Sequence, residues 1–291
     1  MSSTNQAVKS GPRVKAARRK SRPRLLTMLA AAYVGLIVVA AIFAPYLAPY
    51  GPNDQDIFNT FASPGGAHLL GTDEVGRDVL SRLIFGARIS LIAGLQGVLI
   101  AGVFGIGFGV VAGYVGGKFD SVSNTINDNI MSLPGLILAI AFVAVLGPGI
   151  TNAMIAIGIV FIPRFFRVSR AATMSVRELT FIEGLRALGC THTRILGRHV
   201  IPNILGPLIV EFTVVLSASV LAEASLSFLG LAAQPPTASW GAMLNTAQFH
   251  PSFEHLIYPP GIVLALFILS LTLLGDVFAD RAAIGRRGGA S

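Results

Sequence analysis

The chain has 291 residues, of which 53% are hydrophobic and only 12% are charged. A soluble domain carries about 25% charged residues; half that complement cannot cover a surface in water, so a soluble enzyme is excluded. The net charge of +8 is concentrated at the ends of apolar runs, which points to membrane topology rather than to nucleic acid. The single cysteine, Cys190, excludes an internal disulfide framework and a cysteine-built zinc site.

Residues 1–24 hold eight Lys/Arg and no acid and read as a basic cytoplasmic tail. Six apolar segments follow, at 25–47, 89–115, 130–146, 150–166, 204–231 and 256–278. Each is long enough to cross a hydrocarbon layer of about 30 Å as a helix. The expected fold is therefore all-α and integral to the membrane, with six transmembrane helices. The first apolar stretch is longer than that of a cleaved signal peptide and reads as an uncleaved anchor. An extracytoplasmic segment, 48–88, separates it from a core at 89–279, and 280–291 form a cytoplasmic tail. With the N-terminus inside, the inner segments hold 19 of the 22 Lys/Arg, leaving Arg77, Arg82 and Arg88 outside. The positive-inside rule supports this orientation.

Within the spans, Gly105, Gly109 and Gly113 recur every four residues and permit close helix approach. Asp120, Asn124, Asn127, Asp128 and Asn129 precede the third span, with Pro134 one turn in; this reads equally as a hinge or as a solvated helix start. Arg164, Arg167 and Arg170 lie near one face and can snorkel to headgroups or pair with Asp276 and Asp280. Glu211 and Glu223 fall inside the fifth span, where carboxylates are costly and face a cavity or a partner. Both are candidates for the substrate path, with a structural role as the alternative. His250, Glu254 and His255 match no metal-ligand spacing, and no metal is expected. Trp240, Phe249, Phe253 and Tyr258 fit an aromatic belt or an extracytoplasmic docking surface.

The longest inner loop, 167–203, has an ordered pattern. Thr180 and Glu183 form a capping box that predicts a helix from about Phe181, and Gly189 fits a left-handed stop. A second amphipathic piece, 191–200, carries Ile195, Leu196 and Val200 against Arg194, Arg198 and His199, and Pro202 is expected to end it. Such a loop either transmits force to a soluble partner or lies on the membrane surface.

Glu183-Gly184-Leu185, Gly189 and Ile201-Pro202 resemble the EAA loop of ABC importer permeases, whose form is E-A-A, three residues, G, nine residues, I-x-L-P. Gly184 and Leu185 stand where that loop has alanines, His199 where it has isoleucine and Ile201 where it has leucine. Gly71-Thr72-Asp73-Glu74-Val75-Gly76-Arg77-Asp78 resembles the G-T-D-x-x-G-R-D motif of the dipeptide/oligopeptide branch. Leu226-Ser227-Phe228-Leu229-Gly230-Leu231 and Ser239-Trp240-Gly241 resemble that branch too. The resemblance implies a C-type permease with the type I ABC importer fold, forming half of a peptide channel in a bacterial inner membrane. It implies a second homologous permease, two ATPase subunits that carry ATP and Mg, an extracytoplasmic peptide-binding protein, and contact with membrane lipid but not nucleic acid. By the same resemblance, Glu183, Gly184, Leu185, Gly189, Arg194, Arg198 and Pro202 are ATPase-coupling residues. The chain itself lacks G-x-x-x-x-G-K-[ST]; Gly117-Lys118 comes nearest, with Ala112 and Phe119 in place of the first glycine and the hydroxyl. A non-catalytic subunit without its own cofactor is thus expected. The alternatives are a stand-alone secondary transporter, or a nickel or glutathione permease of the same family.

Overall fold

The computed structural model describes residues 24–288 and is almost wholly helical. The arm at 1–24 lies outside the described residues, apart from the backbone of Arg24, as do the side chains of Arg281, Arg286 and Arg287. Helix α1 (Arg24–Ile42) is followed by a short α2 (Ala44–Leu47) that Pro45 opens. An irregular segment then leads to α3 (Val79–Val115), which starts ten residues before the apolar run. The cause is Asp78, whose carboxylate accepts from the Ser81 N–H at 2.7 Å and caps the helix. At 1.5 Å per residue, α3 is about 55 Å long.

The expected third span is not a straight helix. Polar α4 (Gly117–Met131) and apolar α5 (Gly135–Leu146) meet at 91°. Pro134 lacks an amide proton and disfavours helical backbone at Leu133, so the chain breaks there. The twelve residues of α5 rise only about 18 Å and do not cross the layer alone. Among the described residues, five helices are long and apolar enough to cross, and the bent pair makes a sixth.

Helix α6 (Ile150–Arg177) runs eleven residues beyond the expected end of its span. It is followed by α7 (Thr180–Ala187), α8 (His192–Ile195), a π-helical turn (Leu196–Val200), α9 (Ile201–Phe228), α10 (Trp240–Gln248) and α11 (Glu254–Gly288). The last helix continues through most of the segment expected to be a tail.

The glycine stripe explains how closely α3 and α6 pack. A Cβ at Gly105 would stand 2.6 Å from the Ile162 carbonyl oxygen, one at Gly109 2.6 Å from that of Phe166, and one at Gly113 2.6 Å from that of Arg170. Helices α3 and α6 therefore touch backbone to backbone. Four apolar clusters fill the remaining space. One joins α3, α6 and α9 to α7 and α8; one joins α1, α3, α9, α10 and α11; one joins α3, α5, α6 and α9; and one joins the start of α3 to α10 and α11.

Candidate functional site

Because α3 is one unbroken rod, whatever packs at its two ends lies on opposite sides of the molecule. The irregular segment before Val79 and α10 cover its N-terminal end, and α7 and α8 meet its C-terminal end. The cover at the N-terminal end, expected on the outer side, is built on the motif at 71–78. Asp73 accepts from the backbone of Val75 and Arg77 and from Arg77 Nε at 2.7 Å, with Arg82 Nε 3.5 Å away. Arg82 reaches on to the Pro52 carbonyl, and His68 Nδ1 lies 3.0 Å from Asp78. Two of the three arginines expected outside, Arg77 and Arg82, are thus engaged within the cap. The Asn59 amide holds the Asp56 carboxyl below the usual carboxylate range. Trp240 donates to the Leu83 carbonyl at 3.1 Å and stacks over Gly86, which seats α10 on α3. His250 Nε2 lies 3.2 Å from Glu74, and His255 Nε2 3.1 Å from the Thr72 carbonyl, so the two histidines brace the cap separately.

At the C-terminal end of α3, the chain makes the expected helix, turn and second helix, with two corrections. Thr180 is the first helical residue rather than the cap; Leu179 is the N-cap, and no side chain caps the helix. The capping box fails because the turn closes one residue early, with the Ile182 N–H on the Leu179 carbonyl at 2.9 Å. Pro202 does not end the second piece. The Ile201 N–H bonds to Leu196, five residues back, and this wide turn carries the helix past the proline, which sits in the first turn of α9 where an amide proton is dispensable. His192 through Phe228 thus form one helical run.

Gly189 is as expected. Its φ is +76°, the Gly189 N–H bonds to Arg186 at 3.0 Å and the Cys190 N–H to Leu185 at 3.0 Å, the paired bonds of a Schellman stop. Ile182 and Ile195 are fully buried against Val110, Tyr114, Val200 and Ile204, which roots the segment in the bundle. Glu183, Gly184, Gly189, Arg194, Arg198 and Pro202 are exposed, whereas Leu185 packs against that core. Phe181 is exposed beside them, and Leu188 is 83% exposed. Large apolar side chains on a loop rimmed by arginines form a surface suited to a protein partner.

Arg164, Arg167 and Arg170 of α6 meet three different carboxylates. Arg164 Nε is 3.1 Å from Glu211, Arg167 donates to Asp128 at 2.7 Å, and Arg170 donates twice to Asp120, through Nη2 at 2.6 Å and through Nε. The polar residues before the bend thus clamp α4 to α6. Asp120→Lys should release α4, and the double change with Arg170→Asp should restore it; a charged hydrogen bond of this kind contributes about 1.5–3 kcal/mol. Thermal unfolding of the single and double variants in detergent checks this, and a double variant no more stable than the single would contradict the clamp.

Glu223 is fully buried within the subunit. Its Oε1 accepts from Ser227 at 2.7 Å, and the Ser90 and Ser239 hydroxyls face the same carboxyl from α3 and from the cap of α10. Ser227 Oγ accepts in turn from the Ala233 N–H at 3.1 Å. In this conformation the carboxyl meets no surface that a substrate could touch. Glu223→Gln, which keeps a carbonyl acceptor, should leave uptake within about threefold, whereas Glu223→Leu strands the hydroxyls and should lower the unfolding temperature. Loss of uptake in Gln, in a stable protein, would return Glu223 to the path. Ser227 lies one helical turn from Glu223 and is legible from that spacing, whereas nothing in the sequence joins Ser90, Ser239 or the α4–α6 pairs to their partners.

Residues 105–283 match the family described as binding-protein-dependent transport system inner membrane component, and residues 16–64 match the N-terminal transmembrane domain of oligopeptide transport permease C. The chain belongs to this family. It is 43% identical over 264 residues to the glutathione transport system permease protein GsiD of Escherichia coli O1:K1, across 90% of this chain and 87% of that one. The GsiD of Shigella boydii serotype 4 is 42% identical over the same shares. A chain of the MetNI methionine ABC transporter, solved in inward facing conformations, superposes with a TM-score of 0.56 at 19% identity, covering 69% of this chain and 96% of that one. That likeness shows the ABC importer permease fold. The protein is thus a multi-pass inner-membrane permease subunit of an ABC importer, a class that works with ATPase and substrate-binding partners.

Proposed function

We propose that this permease forms one half of the channel of an ATP-driven importer of short peptides, with glutathione the first cargo to test. The observation that carries the reading is the 43% identity to a glutathione system permease held across 90% of the chain. A second homologous permease completes the channel, two ATPase subunits bind ATP and Mg, and an extracytoplasmic binding protein delivers the peptide to the outer cap. Both termini are cytoplasmic, which the distribution of Lys/Arg supports. Glu183, Gly184, Gly189, Arg194 and Arg198 form the face presented to an ATPase, and their exposure beside Phe181 and Leu188 supports that role. Leu185 and Pro202 hold the shape of the segment. Glu211 and Glu223 are both engaged inside the subunit and belong to its scaffold rather than to the path.

Reconstitution in vesicles with the neighbouring permease, ATPases and binding protein tests this. The expected result is accumulation of glutathione or a dipeptide that requires both ATP and the binding protein. Accumulation driven by an ion gradient without ATP would replace the reading with a stand-alone secondary transporter.

A further inference from the structure

The C-terminal end of α3 is gripped by three side chains, each from a different piece of the inner segment. Arg177, the last residue of α6, donates through Nη1 to the Tyr114 carbonyl at 3.0 Å. Arg186, in α7, places its guanidinium carbon 5.2 Å from the centre of the Tyr114 ring. His192, the first residue of α8, holds Nδ1 2.9 Å from Tyr114 Oη, with the two rings edge to face at 5.7 Å. Tyr114 is only 7% exposed and packs in the same cluster as Ile182 of α7 and Ile195 of α8.

Each contact has a physical reason. The last carbonyls of a helix lack intrahelical partners, and a basic side chain there also complements the helix dipole. A buried tyrosine hydroxyl needs a hydrogen-bond partner, and a guanidinium over an aromatic face is attracted to it. What is particular is that all three partners come from the segment expected to meet the ATPase. Beyond Tyr114 the chain turns sharply through Gly116 and Gly117, both at positive φ, so the grip falls on the last rigid residues of α3.

From there the path to the far side is rigid. α3 runs unbroken from Tyr114 back to the Asp78 cap, and the glycine stripe locks it against α6. At its outer end Arg82 and the Leu83 carbonyl hold the cap and Trp240. A push on α7 that reaches Tyr114 therefore cannot be absorbed locally.

We infer that Tyr114 is the positioning residue that passes displacement of α7 to α3, and through α3 to the outer cap. This rests on the proposed seating of α7 against an ATPase. The contacts with Arg186 and His192 form the joint, and the Arg177 bond to the backbone keeps the end of α6 in register with it.

The test uses the complete reconstituted transporter and reads peptide moved per ATP hydrolysed. Tyr114→Phe and His192→Ala should each lower that ratio by about threefold while ATP hydrolysis continues, and the double variant should fall no further than either alone, because one contact is lost in all three. Tyr114→Ala, which also removes the face under Arg186, should lower the ratio by about tenfold or more. An unchanged ratio in Tyr114→Phe, or additive losses in the double variant, would overturn the inference. If Tyr114→Ala does not assemble, the Phe/Ala cycle, which leaves the ring in place, still decides. Phe181→Cys, with Cys190→Ser to remove the native thiol, should cross-link to an ATPase in the assembled transporter. Absence of that cross-link would remove the seating of α7 itself, whereas a cross-link with an additive cycle would remove only the role of Tyr114.

Discussion

Gly109→Leu is expected to leave little folded permease, while Gly107→Leu, two residues away on the same helix, accumulates normally. A Cβ at Gly109 would stand 2.6 Å from the Phe166 carbonyl oxygen and 3.1 Å from the Phe166 Cα, which are backbone atoms and cannot rotate away. A leucine forces α3 and α6 apart along their whole contact, and overpacking of this severity costs about 3 kcal/mol or more. That is a large share of the stability of a typical domain. A Cβ at Gly107 meets nothing within 4 Å, and leucine there improves helix propensity. The recovery of a monodisperse detergent-solubilised peak distinguishes the two. Equal recovery would show that the glycine stripe is not the α3–α6 contact.

Gly189→Val should lower ATP-dependent uptake about tenfold, whereas Gly189→Asn should keep it within about threefold, since the left-handed region costs an ordinary L residue about 1–2 kcal/mol, is worst for a β-branched one and is tolerated by asparagine. The φ of +76° imposes that conformation, and among the described residues, beyond its two chain neighbours, no atom lies within 4 Å of an added Cβ. Crowding inside the subunit therefore plays no part. The loss arises from the turn that sets α7 against α8, read out as uptake in vesicles. Wild-type uptake by the valine variant would separate the Schellman stop from coupling.

The spans were legible because hydropathy and length report burial in lipid directly; α1, α9 and α11 fall where the apolar runs put them. Their ends were less so, because polar residues continue a helix without leaving a hydropathy signal. Asp78 starts α3 ten residues early, and the stretch to Arg177 extends α6. The third span misled for a similar reason. A hydropathy window averages over Pro134 and cannot register a 91° bend. In the inner segment, Gly189 announced itself because few residues adopt positive φ, whereas Thr180 and Glu183 matched a capping box whose register is one residue off. Glu223 was conspicuous as a carboxyl in a span and Ser227 lies one turn on, yet Ser90 and Ser239, whose hydroxyls face it, come from distant stretches of chain. Tyr114 carried no signal at all. A tyrosine at the end of an apolar helix reads as an interfacial aromatic, and only the fold brings Arg177, Arg186 and His192 to it.

The most direct test of the coupling surface is co-purification. The tagged permease, expressed with its neighbouring genes and extracted in mild detergent, should bring down an ATPase chain and a second permease, and Gly189→Val, whose β-branched side chain resists the left-handed turn, should lose the ATPase while remaining inserted in the membrane. An ATPase recovered equally with both forms, or a wild-type permease that purifies intact and alone, would contradict the assignment of residues 180–202 as the seat of the ATPase.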